Sequence, residues 1–414
     1  MTIKREPWKT DNWWVSPWDF MEEVTKDFKP PKQVKIYDIT TRDGEQQTGL
    51  TFSKDDKIRI AEKLASLGVQ RIEPAMPVVS PEDEAAVREI VKRNLGPEIF
   101  AGTRSIVDEI KRAADCGVKG VTIGTPASQH LIQYGLGWPL ERALEHAIKA
   151  TLAAKELGLY TSFFPIDGSR AEMNWYFNFV EKVAKEGHMD ALVVSDTFGV
   201  LSPHGASYFV RKVKERINKP LEVHFHNHFG MAVANTVAGV LSGAEVVHAA
   251  VTGIGEGSGN CCLEEVVTSL LALYGIDVGI KYDKLYETSK LVRELAGAPA
   301  NRPIVGDGVY NIETGEAVIV YRKVGSEHPT ISFPILPKFV GHSEPSVVMG
   351  KKSGIDGVEI WADKLGIELT REEGREVVTQ VKKLATDVRR LLTEEEFRKI
   401  VQSVKAGRPD LLRK

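Results

Sequence analysis

The sequence predicts a (β/α)8 barrel, an α/β fold, followed by a linker and a small C-terminal helical subdomain. Eight short β-rich runs alternate with amphipathic stretches across about 250 residues, the size of such a barrel. Three helical stretches share one ending, Leu67-Gly68-Val69, Cys116-Gly117-Val118 and Leu157-Gly158-Leu159, which puts glycine at the C-terminal turn. Beyond residue 285 the alternation stops, and helical periodicity runs almost unbroken from Glu359 to Val404. A doubly wound open sheet has the same alternation, and spacing alone does not separate the two.

Residues 1–31 read as an arm, with Trp8, Trp13, Trp14 and Trp18 set among Pro7, Pro17, Pro30 and Pro31. Exposed indoles in that number are costly, so the arm is expected to dock on the main body or on a partner subunit. The barrel is expected over 32–285, with strands at Val34–Ile39, Arg71–Met76, Ile99–Gly102, Gly120–Gly124, Tyr160–Phe164, Ala191–Ser195, Leu221–His226 and Val246–Thr252. Between them, Ser53–Leu67, Pro81–Arg93, Val107–Cys116, Leu140–Leu157, Ala171–Glu186 and His204–Ile217 carry apolar residues at spacings of three and four. Ser53 and Pro81 sit where helix starts are expected. Residues 286–345, rich in proline and glycine, read as a linker, and 346–414 as a helical subdomain broken near Gly366 and Gly374.

Composition narrows the function. With 54 basic and 57 acidic side chains among 414 residues, the net charge is -3, so no basic nucleic-acid footprint is present. At 42% hydrophobic and 27% charged, the chain can bury a sizeable core and is not a disordered one. No stretch approaches a membrane span, and Met1–Pro30 lacks a signal-like apolar block. Three cysteines, two of them adjacent (Cys261 and Cys262), make no disulfide framework. Free thiols and a cytoplasmic location are expected.

Three clusters can carry chemistry. Closing the seventh strand is His224-Phe225-His226-Asn227-His228, and alternate side chains of a strand share a face, so His224 and His226 project together. They are either half of a metal site or hydrogen-bonded core histidines. Closing the first strand is Asp38-Ile39-Thr40-Thr41-Arg42-Asp43-Gly44-Glu45-Gln46, three carboxylates around an arginine. That cluster is either a solvated, internally paired turn or, at the same barrel end, the source of an oxygen ligand in Asp43. After the eighth strand, Gly253 to Asn260 holds four glycines in seven residues and runs into an apolar helix, Cys261–Leu273. Its backbone can approach a ligand closely, and a plain flexible turn is the competing reading. It is not a dinucleotide fingerprint.

These residues carry a resemblance. Asp38 to Gln46 resembles the D-x-T-L-R-D-G-E-Q signature of the DRE-TIM metallolyases, a TIM-barrel superfamily. His224 to Asn227 is similar to their H-x-H-N-D, and Gly253 to Asn260 to their G-x-G-E-x-x-G-N. The Claisen-condensing branch, with isopropylmalate, homocitrate and citramalate synthases, looks most alike. Glu73, Pro77, Ser128-Gln129-His130 to Glu141, Ser195 to Gly199 and Gly350 to Gly354 support it, and the similarity spans about residues 34 to 400.

The resemblance implies that Asp43, His224 and His226 bind one divalent ion, Mg2+, Mn2+ or Zn2+, with Asn260 as a ligand or an outer contact. It implies that Arg42 holds the 2-oxo oxygen or developing enolate, that Thr197 meets the substrate carboxylate and that Glu45 orients its neighbours. Further substrate contacts are implied for Glu73, Ser128, His130, Gly255 and Glu256. The partners implied are a 2-oxo acid, an acyl-CoA such as acetyl-CoA, and a second copy of the chain in a homodimer.

Departures bear on the reaction. Thr41 replaces leucine, Ala75 replaces glycine, Thr122 lies where many relatives have histidine, and His228 replaces aspartate. Where the condensing enzymes have a catalytic histidine in a motif resembling H-E-S-G-I-H, this chain reads Ile312-Glu313-Thr314-Gly315-Glu316-Ala317. Either Tyr310, Glu316, His328 or His228 moves the proton instead, or the reaction differs. The expected activity is condensation of an acyl-CoA with a 2-oxo acid. A retro-Claisen or retro-aldol lyase, as in hydroxymethylglutaryl-CoA lyase, and a non-catalytic binder of a small acid are the alternatives.

Overall fold

The computed structural model describes residues 6–47, 50–297, 306, 310–313, 315–324, 333, 335–388 and 390–407. They fall into two compact units, Ser16–Val305, and Met1–Val15 with Gly306–Lys414.

The first unit is a closed, all-parallel eight-stranded barrel. Its strands are β1 Lys35–Asp38, β2 Arg71–Ile72, β3 Glu98–Arg104, β4 Gly120–Pro126, β5 Tyr160–Ile166, β6 Ala191–Asp196, β7 Leu221–Phe225 and β8 Val246–Ala249. Closure comes from β1 pairing with β8, Ile36 opposite Val247 and Asp38 opposite Ala249. The open-sheet alternative is thereby excluded.

Several strands end earlier or later than their apolar runs. β2 stops at Ile72 because Pro74 has no N–H for the ladder; one further bond, Glu73 N–H to the Asp38 carbonyl at 2.9 Å, sets Glu73 in the barrel before the chain turns away. β8 stops at Ala249, since the chain turns through Thr252 at φ 61.

Helices follow the strands: α1 Lys54–Leu67, α2 Pro81–Arg93, α3 Val107–Asp115, α4 Leu140–Glu156, α5 Met173–Glu186, α6 Pro203–Arg216, α7 Ala232–Leu241, α8 Leu263–Tyr274 and α9 Leu285–Ala296. Local signals explain their bounds. Ser53 and Asp56 form a reciprocal capping box at the start of α1, and Gly68, at φ 96, ends it. Ser80 and Ser202 cap α2 and α6, each followed by proline at the first helical position. α7 is apolar nearly all round, and its Gly239 lets Val223 and Phe225 of β7 pack close, which turns Glu222 and His224 to the barrel interior.

The second unit has a two-stranded parallel pair, β9 Asn311–Ile312 and β10 Ser346–Val347, and helices α10 Gly315–Val324, α11 Ile355–Lys364, α12 Arg371–Val388 and α13 Glu394–Lys405. Met349, Val358, Val377, Val381, Phe397 and Ile400 form its core. Only the first half of the expected arm, up to Val15, belongs to this unit, where Trp13 bridges to Ile335 and meets the Phe339 ring edge-on at 5.5 Å; Phe28 packs instead on Tyr274 of the barrel unit. Among the described residues no helix is long and apolar enough to cross a membrane.

Candidate metal centre

The loop after β1 is folded back on itself. The Ile39 carbonyl accepts from the N–H groups of Arg42, Asp43 and Gly44 at 3.2, 2.9 and 3.1 Å. Asp38 accepts from the Thr40 N–H at 2.9 Å and the Thr40 hydroxyl at 2.8 Å. That hydroxyl in turn accepts from the Val251 N–H at 2.8 Å, tying the loop after β1 to the chain after β8. Asp43 is thus carried over the barrel mouth.

There it meets His224 of β7 and His226 just past its end. Asp43 Oδ2 lies 3.8 Å from His224 Nε2, Asp43 Oδ1 lies 3.8 Å from His226 Nε2, and the two Nε2 atoms are 3.1 Å apart. All three side chains are buried, and one ligand atom from each falls within 4.8 Å of the others. The set can hold a metal ion. His226 Nδ1 is 3.2 Å from the Glu256 carbonyl, which only accepts; Nδ1 therefore donates there, and Nε2 is the nitrogen turned toward Asp43.

Electrostatics agree with this. Burial alone would raise the Asp43 carboxyl, but the Arg42 guanidinium, then both imidazoles and the Asn260 amide, hold it well below the usual carboxylate range. Burial holds His224 well below the usual imidazole value, and the pull of Asp43 does not restore it. An ionised carboxylate and a neutral imidazole are the forms a metal binds.

Asn260 completes the group. Its Nδ2 donates to Asp43 Oδ1 at 2.7 Å and to the Ile254 carbonyl at 3.1 Å, while its Oδ1 is buried with no hydrogen-bond partner. The glycine-rich loop makes this possible: a side chain at Gly255 would collide with the Asn260 amide, and one at Gly259, where φ is 89, with the Gly253 carbonyl. Glu256 contributes its backbone carbonyl; its carboxylate is exposed, at the limit of hydrogen bonding (3.5 Å) from Gln46.

Arg42 is held on two sides. Its Nε donates to the buried Glu73, and its Nη1 donates to Asp43 Oδ2 at 2.7 Å and to Gln46 Oε1 at 3.1 Å. Burial opposes its charge, but Glu73 and Asp43 raise its pKa further. A cavity of about 410 Å³ opens beside it, walled in part by Leu50, Ala75, Met76 and Val79.

Other expected residues are held by other partners. Glu45, in the wall of the same cavity, accepts from the Phe52 N–H at 2.6 Å and pairs with Lys57 at 2.5 Å. Ser128 and Thr197 gather around Asp167: the Ser128 hydroxyl donates to its carboxylate at 2.5 Å, and the Thr197 hydroxyl accepts from its N–H at 2.9 Å. His130 is exposed beside Tyr134. His228 is exposed in the loop after β7, its ring centroid 6.2 Å from that of His226. Thr122 meets the Tyr37 hydroxyl at 2.8 Å. In the second unit, Tyr310 is buried between Phe333 and His342, and burial pushes its hydroxyl up to about 12. The side chain of Glu316 and all of His328 lie outside the described residues.

Sequence reasoning passed over Tyr37, Lys57, Asp167 and Arg170. Lys57 had a readable signal, because it continues the buried stripe of α1 formed by Ile60, Ala61 and Leu64. A lysine in an apolar stripe needs partners, and it has Glu45 and Asp83, each at 2.5 Å. Arg170 clamps Asp167 through two bonds of 2.7 and 2.9 Å.

Comparison with known proteins adds a family. The family described as HMGL-like matches residues 33–292. A probable 2-isopropylmalate synthase of Ignicoccus hospitalis is 39% identical over 380 residues, covering 90% of this chain and 93% of that protein. A homocitrate synthase of Methanothermobacter thermautotrophicus is 36% identical over 398 residues, covering 95% and 98%. A putative (R)-citramalate synthase of Archaeoglobus fulgidus is 37% identical over 376 residues, covering 90% and 75%. Among solved structures, the HMG-CoA lyase of Bacillus subtilis aligns with a TM-score of 0.59 at 22% identity, over 67% of this chain and 98% of that one, which shows a shared fold.

Proposed function

Because the chain belongs to the HMGL-like family of DRE-TIM barrels, we propose that it is a divalent-metal-dependent acyltransferase that condenses an acyl-CoA, such as acetyl-CoA, with a 2-oxo acid. The observation that carries this reading is the meeting of Asp43, His224 and His226, ligand atoms within 4.8 Å, beside the fixed guanidinium of Arg42.

The donor set fits a divalent ion. One carboxylate and two imidazoles suit Mg2+, Mn2+ or Zn2+, and the unpartnered Asn260 Oδ1 is a buried oxygen that lacks a cation or a donor. Asp43, His224 and His226 would hold the ion, with Asn260 beside them; when bound, it polarises the ketone of a chelated 2-oxo acid as a Lewis acid.

The chain's own groups do the rest. Arg42 holds the ketone oxygen as negative charge grows on it, in a site dry enough for that contact to count. Glu73 and Asp43 keep the guanidinium from following the substrate. Thr197, whose hydroxyl accepts from the Asp167 N–H and keeps its own proton to give, binds the substrate carboxylate; Ser128 holds Asp167 in place, and the cavity walled by Leu50, Met76 and Val79 receives the acyl arm. Tyr310, buried and raised to about 12, is unfit to take a proton at neutral pH. We assign that step to His228, which the barrel presents next to His226. A homodimer in the cytoplasm belongs to the same proposal; the three buried, unpaired cysteines suit a reducing compartment.

The test is thiol release from acetyl-CoA with a panel of 2-oxo acids, before and after chelation and with metal restored. Metal-dependent release with one acid of the panel is expected. Release of an oxo acid from hydroxy-acid thioesters, with no thiol release in the panel, would make the enzyme a lyase instead. Size-exclusion with light scattering reads the dimer.

A further inference from the structure

Beneath the metal ligands, where an interior layer of a barrel is mostly branched aliphatic, this chain places a tyrosine. Tyr37, at the centre of β1, is fully buried. Its hydroxyl donates to Glu73 Oε2 at 2.5 Å and lies 2.8 Å from the Thr122 hydroxyl. Its ring is wedged edge-on against His248 at 4.4 Å and Phe100 at 5.3 Å, so it has no freedom to swing.

The other oxygen of Glu73 takes Arg42 Nε. Glu73 therefore stands between a phenol that is immobile and a guanidinium that borders the metal ligands. Arg42 Nη1 is taken by Asp43 and Gln46, and among the described residues no side chain takes Nη2. That nitrogen is the edge of the fork left for a substrate oxygen. Its bearing depends on the plane of the Glu73 carboxylate, and the plane depends on Tyr37, since a carboxylate held at one oxygen can still turn about its Cγ–Cδ bond.

Packing does not require the hydroxyl. Phenylalanine would fill the same space against His248 and Phe100, and Arg42 alone would neutralise Glu73. The phenol contributes a second, directional anchor to an already paired carboxylate. We infer that Tyr37 is a positioning residue for the reaction: through Glu73 it aims the Arg42 guanidinium at the substrate oxygen, without touching substrate itself. This rests on the role given to Arg42 above.

The test is Tyr37→Phe in the full-length, metal-loaded protein, read by kcat, by KM for the 2-oxo acid, by metal affinity in calorimetry, and by the Arg42 Nε–H resonance, which is assigned by its absence in Arg42→Lys. The expected result is a kcat about tenfold lower, KM and metal affinity within about twofold, and a shifted or broadened Arg42 signal. In an Arg42→Lys background the Tyr37→Phe loss should disappear, because the group being aimed is gone. An unchanged kcat and resonance, an equal loss in the Arg42→Lys background, or a loss shared by metal affinity overturns the inference. If Tyr37→Phe does not fold, Thr122→Val loosens the same hydroxyl and must move the Arg42 resonance in the same direction. A wild-type protein that releases no thiol refutes the condensation instead, and the resonance still decides whether Tyr37 sets Arg42.

Discussion

The amide of Asn260 donates to Asp43 Oδ1 across 2.7 Å, joining residues 217 positions apart in the chain. One comes from the loop after the first barrel strand and the other from the loop after the eighth, which β1–β8 pairing brings side by side. The contact uses the amide and leaves Asn260 Oδ1 without a partner, beside a carboxylate that the Arg42 guanidinium above all keeps ionised. Asp43 has its oxygens at the histidines, whereas Asn260 reaches them through Asp43, and this difference predicts different sensitivities.

Asp43→Ala and His226→Ala should each weaken divalent-metal binding by more than about 100-fold in calorimetry, whereas Asn260→Ala should cost about tenfold. Circular dichroism of the metal-free protein should change little, because these residues close the barrel mouth and do not build the core. Wild-type affinity in Asp43→Ala would remove the metal assignment, and equal losses in all three variants would make Asn260 a ligand.

Arg42→Lys should lower kcat about 100-fold while metal affinity stays within about threefold. The guanidinium bonds Glu73 through Nε and Asp43 through Nη1 at once, a fork that a single ammonium cannot reproduce. Near-normal turnover in steady-state kinetics would reject the role given to Arg42.

Lys57→Met should destabilise the protein by about 3–5 kcal/mol in urea titrations at neutral pH. Lys57 is almost fully buried between Glu45 and Asp83, so its removal leaves two carboxylates facing each other with no cation between them. Adding Glu45→Gln should recover part of the loss. A single variant as stable as wild type would mean that the pair is solvated after all.

The three residues of the candidate metal centre were legible because they sit in short motifs. His224 and His226 alternate along the end of one strand, and Asp43 lies in a run of three carboxylates around an arginine that the sequence alone also allows as a paired turn. Strand ends were less legible, since they depend on what pairs: Pro74 ends β2 at Ile72 and Thr252 bends the chain out of β8, both inside apolar runs. α7 escaped because Ala232–Leu241 is apolar nearly all round, with only Asn235 and Thr236 polar, and has no period to read. Tyr37 was invisible for another reason. An aromatic residue in a strand reads as core, and only the approach of Glu73 and Thr122, from β2 and β4, makes its hydroxyl matter.

Asp38 gives the fold a pH dependence of its own. The carboxyl is fully buried, and burial pushes its pKa up to about 7, against the two bonds from Thr40, with Glu264 nearby adding to the rise. In the unfolded chain the same carboxyl titrates near 4. Between those values the folded state keeps a proton that the unfolded state has released, so stability from this group is full below about pH 4, falls as pH rises, and levels off above about 7. The slope reaches at most about 1.4 kcal/mol per pH unit. Asp38→Asn keeps the shape and a hydrogen-bonding group toward Thr40 but carries no titration. Relative to wild type it should therefore gain stability steadily between pH 4.5 and 7.5 in urea unfolding, and this gain should saturate at higher pH. A constant gap across that range would show that Asp38 stays ionised in the fold, and the tie from Asp38 through Thr40 to Val251 would then be held by a charge rather than by a neutral acid.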